Sequence, residues 1–90
     1  MVIVWDEAKR LANLHKHGLD FADFESGFAL ANALEVSTRA SRMGRERKVL
    51  IGELNGALIV AAVVSPLGAE ALSLVSLRRA TEKERRAYGR

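Results

Sequence analysis

Hydrophobic positions recur in two rhythms along these 90 residues, helical in the first third and strand-like after it. The run VIVW (Val2 to Trp5) is β-branched and aromatic, which predicts a short strand. Asp6 then stands where an N-cap belongs, and DEAKRLANLHKH follows with good helix formers. The 3.6-residue period puts Ala8, Leu11, Ala12 and His15 on one face, the side expected to meet a core. Gly18 falls where a left-handed residue ends a helix, with Leu19 placed to contact the last turn. Asp20 as a second N-cap puts Leu19 at N′ and Phe24 at N4, the spacing of a hydrophobic staple. A second helix is therefore predicted from about Phe21 to Ala29, with Phe21, Phe24 and Phe28 as core candidates.

The second rhythm begins at LEVST (Leu34 to Thr38), which predicts a strand, followed by the basic loop RASRMGRER. RKVLIGEL then runs into Asn55-Gly56, a strong two-residue type I′ hairpin signal. ALIVAAVVS returns, and PLGA reads as a second turn with Pro66 and Gly68 at turn positions. EALSLVSLR is the next strand, with Leu72, Leu74 and Ser76 alternating against Ser73, Val75 and Leu77. TEKERRAYGR opens with a capping box, Thr81 to Glu84, and predicts a short basic helix. The order is β-α-α-β-β-β-β-α. The fold class is α+β: two N-terminal helices and a C-terminal helix packed on one face of a twisted antiparallel sheet of about four strands.

Composition narrows the class. With 49% hydrophobic and 28% charged residues and one proline, this is a single globular domain, residues 1–90, with no repeat or linker. It has no cysteine, which excludes disulfides and thiolate metal sites. ALIVAAVV is far too short for a membrane span. Asp6 and Glu7 follow Met1 too closely for a signal peptide, so the cytoplasm is the expected location. Charge is uneven. Up to Thr38 there are three bases and six acids; from Arg39 on there are eleven bases and five acids. The basic half suits a polyanionic partner.

The cations fall into two clusters. Arg39, Arg42, Arg45, Arg47 and Lys48 surround the central loop. Arg78, Arg79, Lys83, Arg85, Arg86 and Arg90 gather at the last strand end and final helix. If both met on one face, they would hold an RNA or DNA backbone through bidentate arginine contacts. Metal-free RNA cleavage needs a group to accept the 2′-OH proton, cations for the charged phosphorane, and a donor for the leaving oxygen. Glu46, His17 and Tyr88 are the acid–base candidates, and Lys16, Arg47, Arg78 and Arg79 the cations. His15 and His17 are two apart, so on a helix they diverge, and no metal or cofactor is expected there. A helix C-terminus favours cations, which suits His17 to an acid or phosphate-binding role or to simple capping.

Three separated stretches resemble the BrnT family of type II toxins. WDEAKRLANLHKHGLDF carries Trp5, Asp6, Lys9, Asn13, Lys16, His17, Gly18, Leu19 and Phe21 of an N-terminal signature. ERKVLIG carries Glu46, Arg47, Ile51 and Gly52. SLRRATEKERRAY carries Ser76, Arg78, Arg79, Ala80, Thr81, Glu84, Arg85 and Tyr88. The resemblance implies a RelE-like fold and a metal-independent endoribonuclease that blocks translation. It also implies a DNA-binding BrnA-type antitoxin in a hetero-oligomer, perhaps 2:2, with operator DNA met only through that antitoxin. The catalytic set it implies is Glu46, Arg47, Arg78, Arg79, Tyr88 and His17. Lys16, Arg42, Arg45, Lys48 and Lys83 would bind RNA. The chain departs from the family pattern at Ser65 to Gly68, a turn without arginine, and at Ser73. The alternative reading is a catalytically attenuated homologue that binds antitoxin as a co-repressor. A stand-alone nucleic-acid binder is a third.

Overall fold

A computed structural model describes residues 1–37 and 46–89, so Arg39, Arg42, Arg45 and Arg90 lie outside the described residues. The strands are β1 (Val2–Val4), β2 (Leu34–Ser37), β3 (Lys48–Leu54), β4 (Leu58–Leu67) and β5 (Ala71–Arg79). The helices are α1 (Glu7–His17), α2 (Phe21–Gly27) and α3 (Glu82–Tyr88), with a 3₁₀ turn at Leu30–Asn32. Among the described residues the fold is α+β, three helices on one five-stranded sheet ordered β1-β5-β4-β3-β2. The expected antiparallel sheet of about four strands is thus corrected. β1 adds a fifth, and it runs parallel to β5, with Val2 opposite Ala71 and Val4 opposite Ser73.

Local chemistry fixes the element ends as the sequence indicates. Asp6 caps α1 by accepting from the Ala8 N–H (2.9 Å), and Asp20 caps α2 by accepting from Ala22 (2.9 Å). Gly18 takes φ 71° and donates to the Leu14 carbonyl, ending α1 where a side chain would be strained. Thr81 and Glu84 form the reciprocal capping box of α3. Helix α2 stops at Gly27, short of Ala29. Phe28 has extended backbone there and bridges to Leu54.

Two turns differ from expectation. Asn55 and Gly56 both take positive φ, and Ala57 donates to the Leu54 carbonyl, as a type I′ turn requires. The ladder resumes with Leu54 opposite Leu58, which leaves Ala57 as an extra residue. Pro66 is not a turn residue but lies in β4, opposite Leu72. The β3 ladder reaches only to Val64, so Pro66 sits where β4 is an edge on that side, and its missing N–H is tolerated.

The helices cover both faces of the sheet rather than one. Leu50, Leu54, Val60, Ala62, Val64, Leu74 and Leu77 form the core with Phe21 and Phe24 under α1 and α2. Val36, Val49 and Ile51 belong to the other face, where they line a cleft with Thr81, Glu84 and Ala87 of α3. The physical reason is β4. Val60, Ala62 and Val64 point one way and Ala61 the other, all at most 1% exposed, so each face needs a cover.

Strand β5 carries the irregularity that shapes its outer edge. Val64 pairs with Leu74 but Val63 pairs with Ser76, leaving Val75 as a bulge. Strict alternation therefore fails: Leu74 and Leu77 share the core face although they are three positions apart. Ser76 and Arg78 emerge on the α3 face, opposite Val63 and Ala61. Helix α1 is also turned from the expected orientation. Leu11 is 54% exposed, and Ala8, Ala12 and His15 are exposed too, while Asn13 is the buried residue at 7%. The face turned inward is Arg10, Asn13 and His17, at i, i+3 and i+7.

Candidate nucleic-acid interface

Beyond Ser73, β1 no longer covers β5, and a side chain takes the open edge. The Asn13 amide Nδ2 donates to the Leu77 carbonyl (2.8 Å) and to the Leu19 carbonyl (3.0 Å). Its Oδ1 accepts from the Leu77 N–H (3.0 Å) and, more distantly, from Ser76 Oγ (3.4 Å). One turn further along α1, His17 is half-buried and Lys16 is exposed. Together with Lys9, Ala12, Asn13, Val75 and Ser76 they line a shallow depression of about 230 Å³. Two lysines and an imidazole thus converge on the bulged edge of a strand, a setting for an anion.

Arg78 stands on the same strand, outside the lining of this depression. It lies two residues beyond Ser76 on the same face, roughly 7 Å along β5. Its guanidinium makes a bidentate pair with Glu84, with distances of 2.7 and 2.9 Å, and also donates to the Arg79 carbonyl (3.3 Å). Arg78 chiefly, then the Thr81 N–H, holds the Glu84 carboxyl down to about 2, against the opposing effect of partial burial. The same pair raises the Arg78 pKa. Arg78 is therefore a pre-oriented cation with a carboxylate already on it.

The other candidate residues scatter. Arg79 leaves the opposite face of β5, opposite Val60, so strand alternation parts it from Arg78. It is exposed and shares a depression of about 270 Å³ with Arg85. Glu46 is exposed and bonded elsewhere: its carboxylate lies 3.4 Å from Lys48 Nζ, and its carbonyl accepts from Ser65 Oγ (2.9 Å). Lys48 also pairs with Glu35 at 2.7 Å, and that pair is the first cause of its raised pKa. Ser65 is four residues along β4 from Ala61, the partner of Arg78, or roughly 13 Å.

The strand-borne members of the two basic clusters, Lys48 on one side and Arg78 and Arg79 on the other, therefore lie at opposite ends of the ladder. In an antiparallel meander the third strand ends where the first also ends, not where it starts. Arg47 is half-buried just before β3, and Lys83 is exposed on the rim of the α3 cleft. Tyr88 is half-buried at the end of α3. Arg42 and Arg45 lie outside the described residues. No group of three or more His, Asp or Glu side chains is arranged to hold a metal among the described residues. No helix there is long and apolar enough to cross a membrane.

Sequence reasoning missed the role of Asn13, the one α1 residue that is buried. The available signal was its spacing: it is i−4 from His17 and a polar residue flanked by the apolar Ala12 and Leu14. What hid it is that its partner, Leu77, is 64 residues away.

In this small α+β domain the strand edge that bears the histidine is cationic, with the charge to meet an anion. Comparison makes this specific. The family model "Ribonuclease toxin, BrnT, of type II toxin-antitoxin system" matches residues 5–84, and the chain belongs to that family. It is similar to the Brucella abortus ribonuclease toxin BrnT, known from a 1.1 Å crystal structure, at 45% identity and a TM-score of 0.74. The match covers 91% of this chain and 99% of that one. A sequence comparison with curated proteins finds no match. As a member of a type II toxin–antitoxin family, the chain has an antitoxin as its implied partner.

Proposed function

We propose that this chain is a metal-independent endoribonuclease toxin with a RelE-like relationship of fold, acting on cytoplasmic RNA to stop translation. The reacting site is the open edge of β5, where Lys9, Lys16 and His17 face Ser76, with Arg78 two residues further along the strand. That clustering is the observation supporting the reading, in a chain of the ribonuclease toxin family. Lys16 and Arg78 neutralise the phosphodiester and the phosphorane formed when the 2′-oxygen attacks phosphorus. His17 donates the proton that the leaving 5′-oxygen needs, or accepts the one the 2′-OH gives up. The new bond is O2′–P, the broken bond is P–O5′, and the products are a 2′,3′-cyclic phosphate and a 5′-hydroxyl. Arg79 and Arg85, on the other face, bind the strand beyond the cut. Glu46, Arg47 and Lys48, together at the start of β3, are too remote to share the reacting phosphate.

The antitoxin is a DNA-binding protein of the BrnA type that covers this edge and carries the complex to operator DNA. The test is induced expression. The chain alone arrests growth and truncates messages, coexpressed antitoxin relieves both, and Lys16→Ala/His17→Ala abolishes arrest. Intact messages in arrested cells, or arrest by the variant, would refute the reading.

A second reading is an attenuated homologue serving as co-repressor. It is favoured by Glu84 occupying Arg78 and by the arginine-free turn at Ser65 to Gly68. It expects no growth arrest, yet tighter operator binding by the antitoxin when this chain is present.

A further inference from the structure

We infer that Asn13 is a positioning residue of this site: its amide replaces the missing strand at the β5 edge and locks the Lys16–His17 turn beside Ser76. The inference rests on the ribonuclease reading. The geometry is that of a ladder made by one side chain. A neighbouring strand would offer Leu77 one acceptor and one donor; Asn13 offers both, at 3.0 and 2.8 Å. Its second amide hydrogen holds the Leu19 carbonyl, so the chain leaving α1 is tied down as well. With Ser76 Oγ as a further donor, all the bonding capacity of the amide is used, at 7% exposure.

Leu77 stands between Ser76 and Arg78, and His17 is one helical turn beyond Asn13. Asn13 therefore ties the helix turn that carries the imidazole directly to the β5 edge. No other residue type supplies the same pattern at that length. Aspartate lacks the donors and would face two carbonyls; leucine would leave Leu77 unpaired. The bulge at Val75 is the complementary device, since it decides that Leu77, and not Ser76, turns its peptide groups to the edge.

The test is a double-mutant cycle on RNA cleavage, with folding verified by circular dichroism. Asn13→Ala is expected to lower kcat about 100-fold, the effect of misplacing a reacting group by about 1 Å, with KM little changed. Asn13→Ser, smaller but still hydrogen-bonding, replaces it if the alanine variant does not fold. In the Lys16→Ala/His17→Ala background the same change should cost about twofold or less, because the groups it positions are gone. A general loss of fold would multiply through instead, and an additive cycle overturns the inference while leaving the nuclease reading intact.

If the wild-type chain cleaves no RNA, the ribonuclease reading falls separately. The clasp is then read from the Leu77 amide: protected from hydrogen exchange in the wild type, and exchanging about 10-fold faster or more after Asn13→Ser. Unchanged Leu77 exchange overturns the inference on its own.

Discussion

Replacing Glu84 with glutamine isolates the charge of the Arg78 partner. Glutamine at this position keeps the capping-box geometry, so the Thr81 N–H still has an acceptor. What is lost is the bidentate ion pair at 2.7 and 2.9 Å. The Glu84 carboxyl is held down to about 2 from an ordinary 4.5. At 1.36 kcal/mol per unit that shift corresponds to about 3 kcal/mol, and solvent screening of this partly exposed pair reduces it to about 1–2 kcal/mol. Because the folded pKa is depressed, the contribution is complete above pH about 4.5 and disappears as pH falls through about 2. Urea unfolding at pH 7 should show Glu84→Gln less stable by about 1–2 kcal/mol, with Tm lower by about 5–10 °C. The gap between wild type and variant should narrow from pH 4.5 downward. Equal stability at pH 7, or a gap that does not close in acid, would refute the account of Arg78 as a cation held by Glu84.

Gly52 lies flat beneath Phe28, whose ring would be 2.9 Å from an added Cβ; Gly52→Ala should destabilise by about 1–3 kcal/mol in denaturant unfolding. Gly18 takes φ 71° with open space around it, so Gly18→Ala should cost about 1 kcal/mol through backbone strain alone. Its thermal melt should show that loss. Glu46→Gln should change the RNA cleavage rate by less than about 10-fold, whereas Lys16→Ala/His17→Ala should lower it about 100-fold or more. The reverse order would move the reacting centre to the start of β3. Association with RNA should weaken steeply with salt, and Arg79→Ala should reduce the slope of log affinity against log salt by roughly 0.7 if Arg79 meets a single-stranded phosphate.

The local vocabulary of the fold was legible because it is written in adjacent residues. Asp6, Gly18, Asp20, Asn55-Gly56 and Thr81-x-x-Glu84 mark element ends by chemistry that acts over a few positions. The three-dimensional site was not, for three physical reasons. The inward face of α1 is chosen by Asn13 bonding a strand 64 residues away, which outweighs the exposure of Leu11 and Leu14. The bulge at Val75 breaks the period of two, so the parity of Leu77 and Arg78 cannot be read by counting from Leu72. The parallel join of Val2–Val4 to Ala71–Ser73 links opposite parts of the chain through backbone groups every residue possesses. Lys48 and Arg78 come from different stretches of the chain, and only the topology shows that they stand at opposite ends of the ladder.

The central claim is that the β5 edge cleaves RNA without a metal. It is tested most directly by incubating the purified chain with end-labelled RNA in excess EDTA and analysing the new termini. The account predicts fragments ending in 2′,3′-cyclic phosphate and beginning with 5′-hydroxyl, and their loss in Lys16→Ala/His17→Ala. Intact RNA, cleavage only when a divalent ion is restored, or undiminished cleavage by that variant would contradict it.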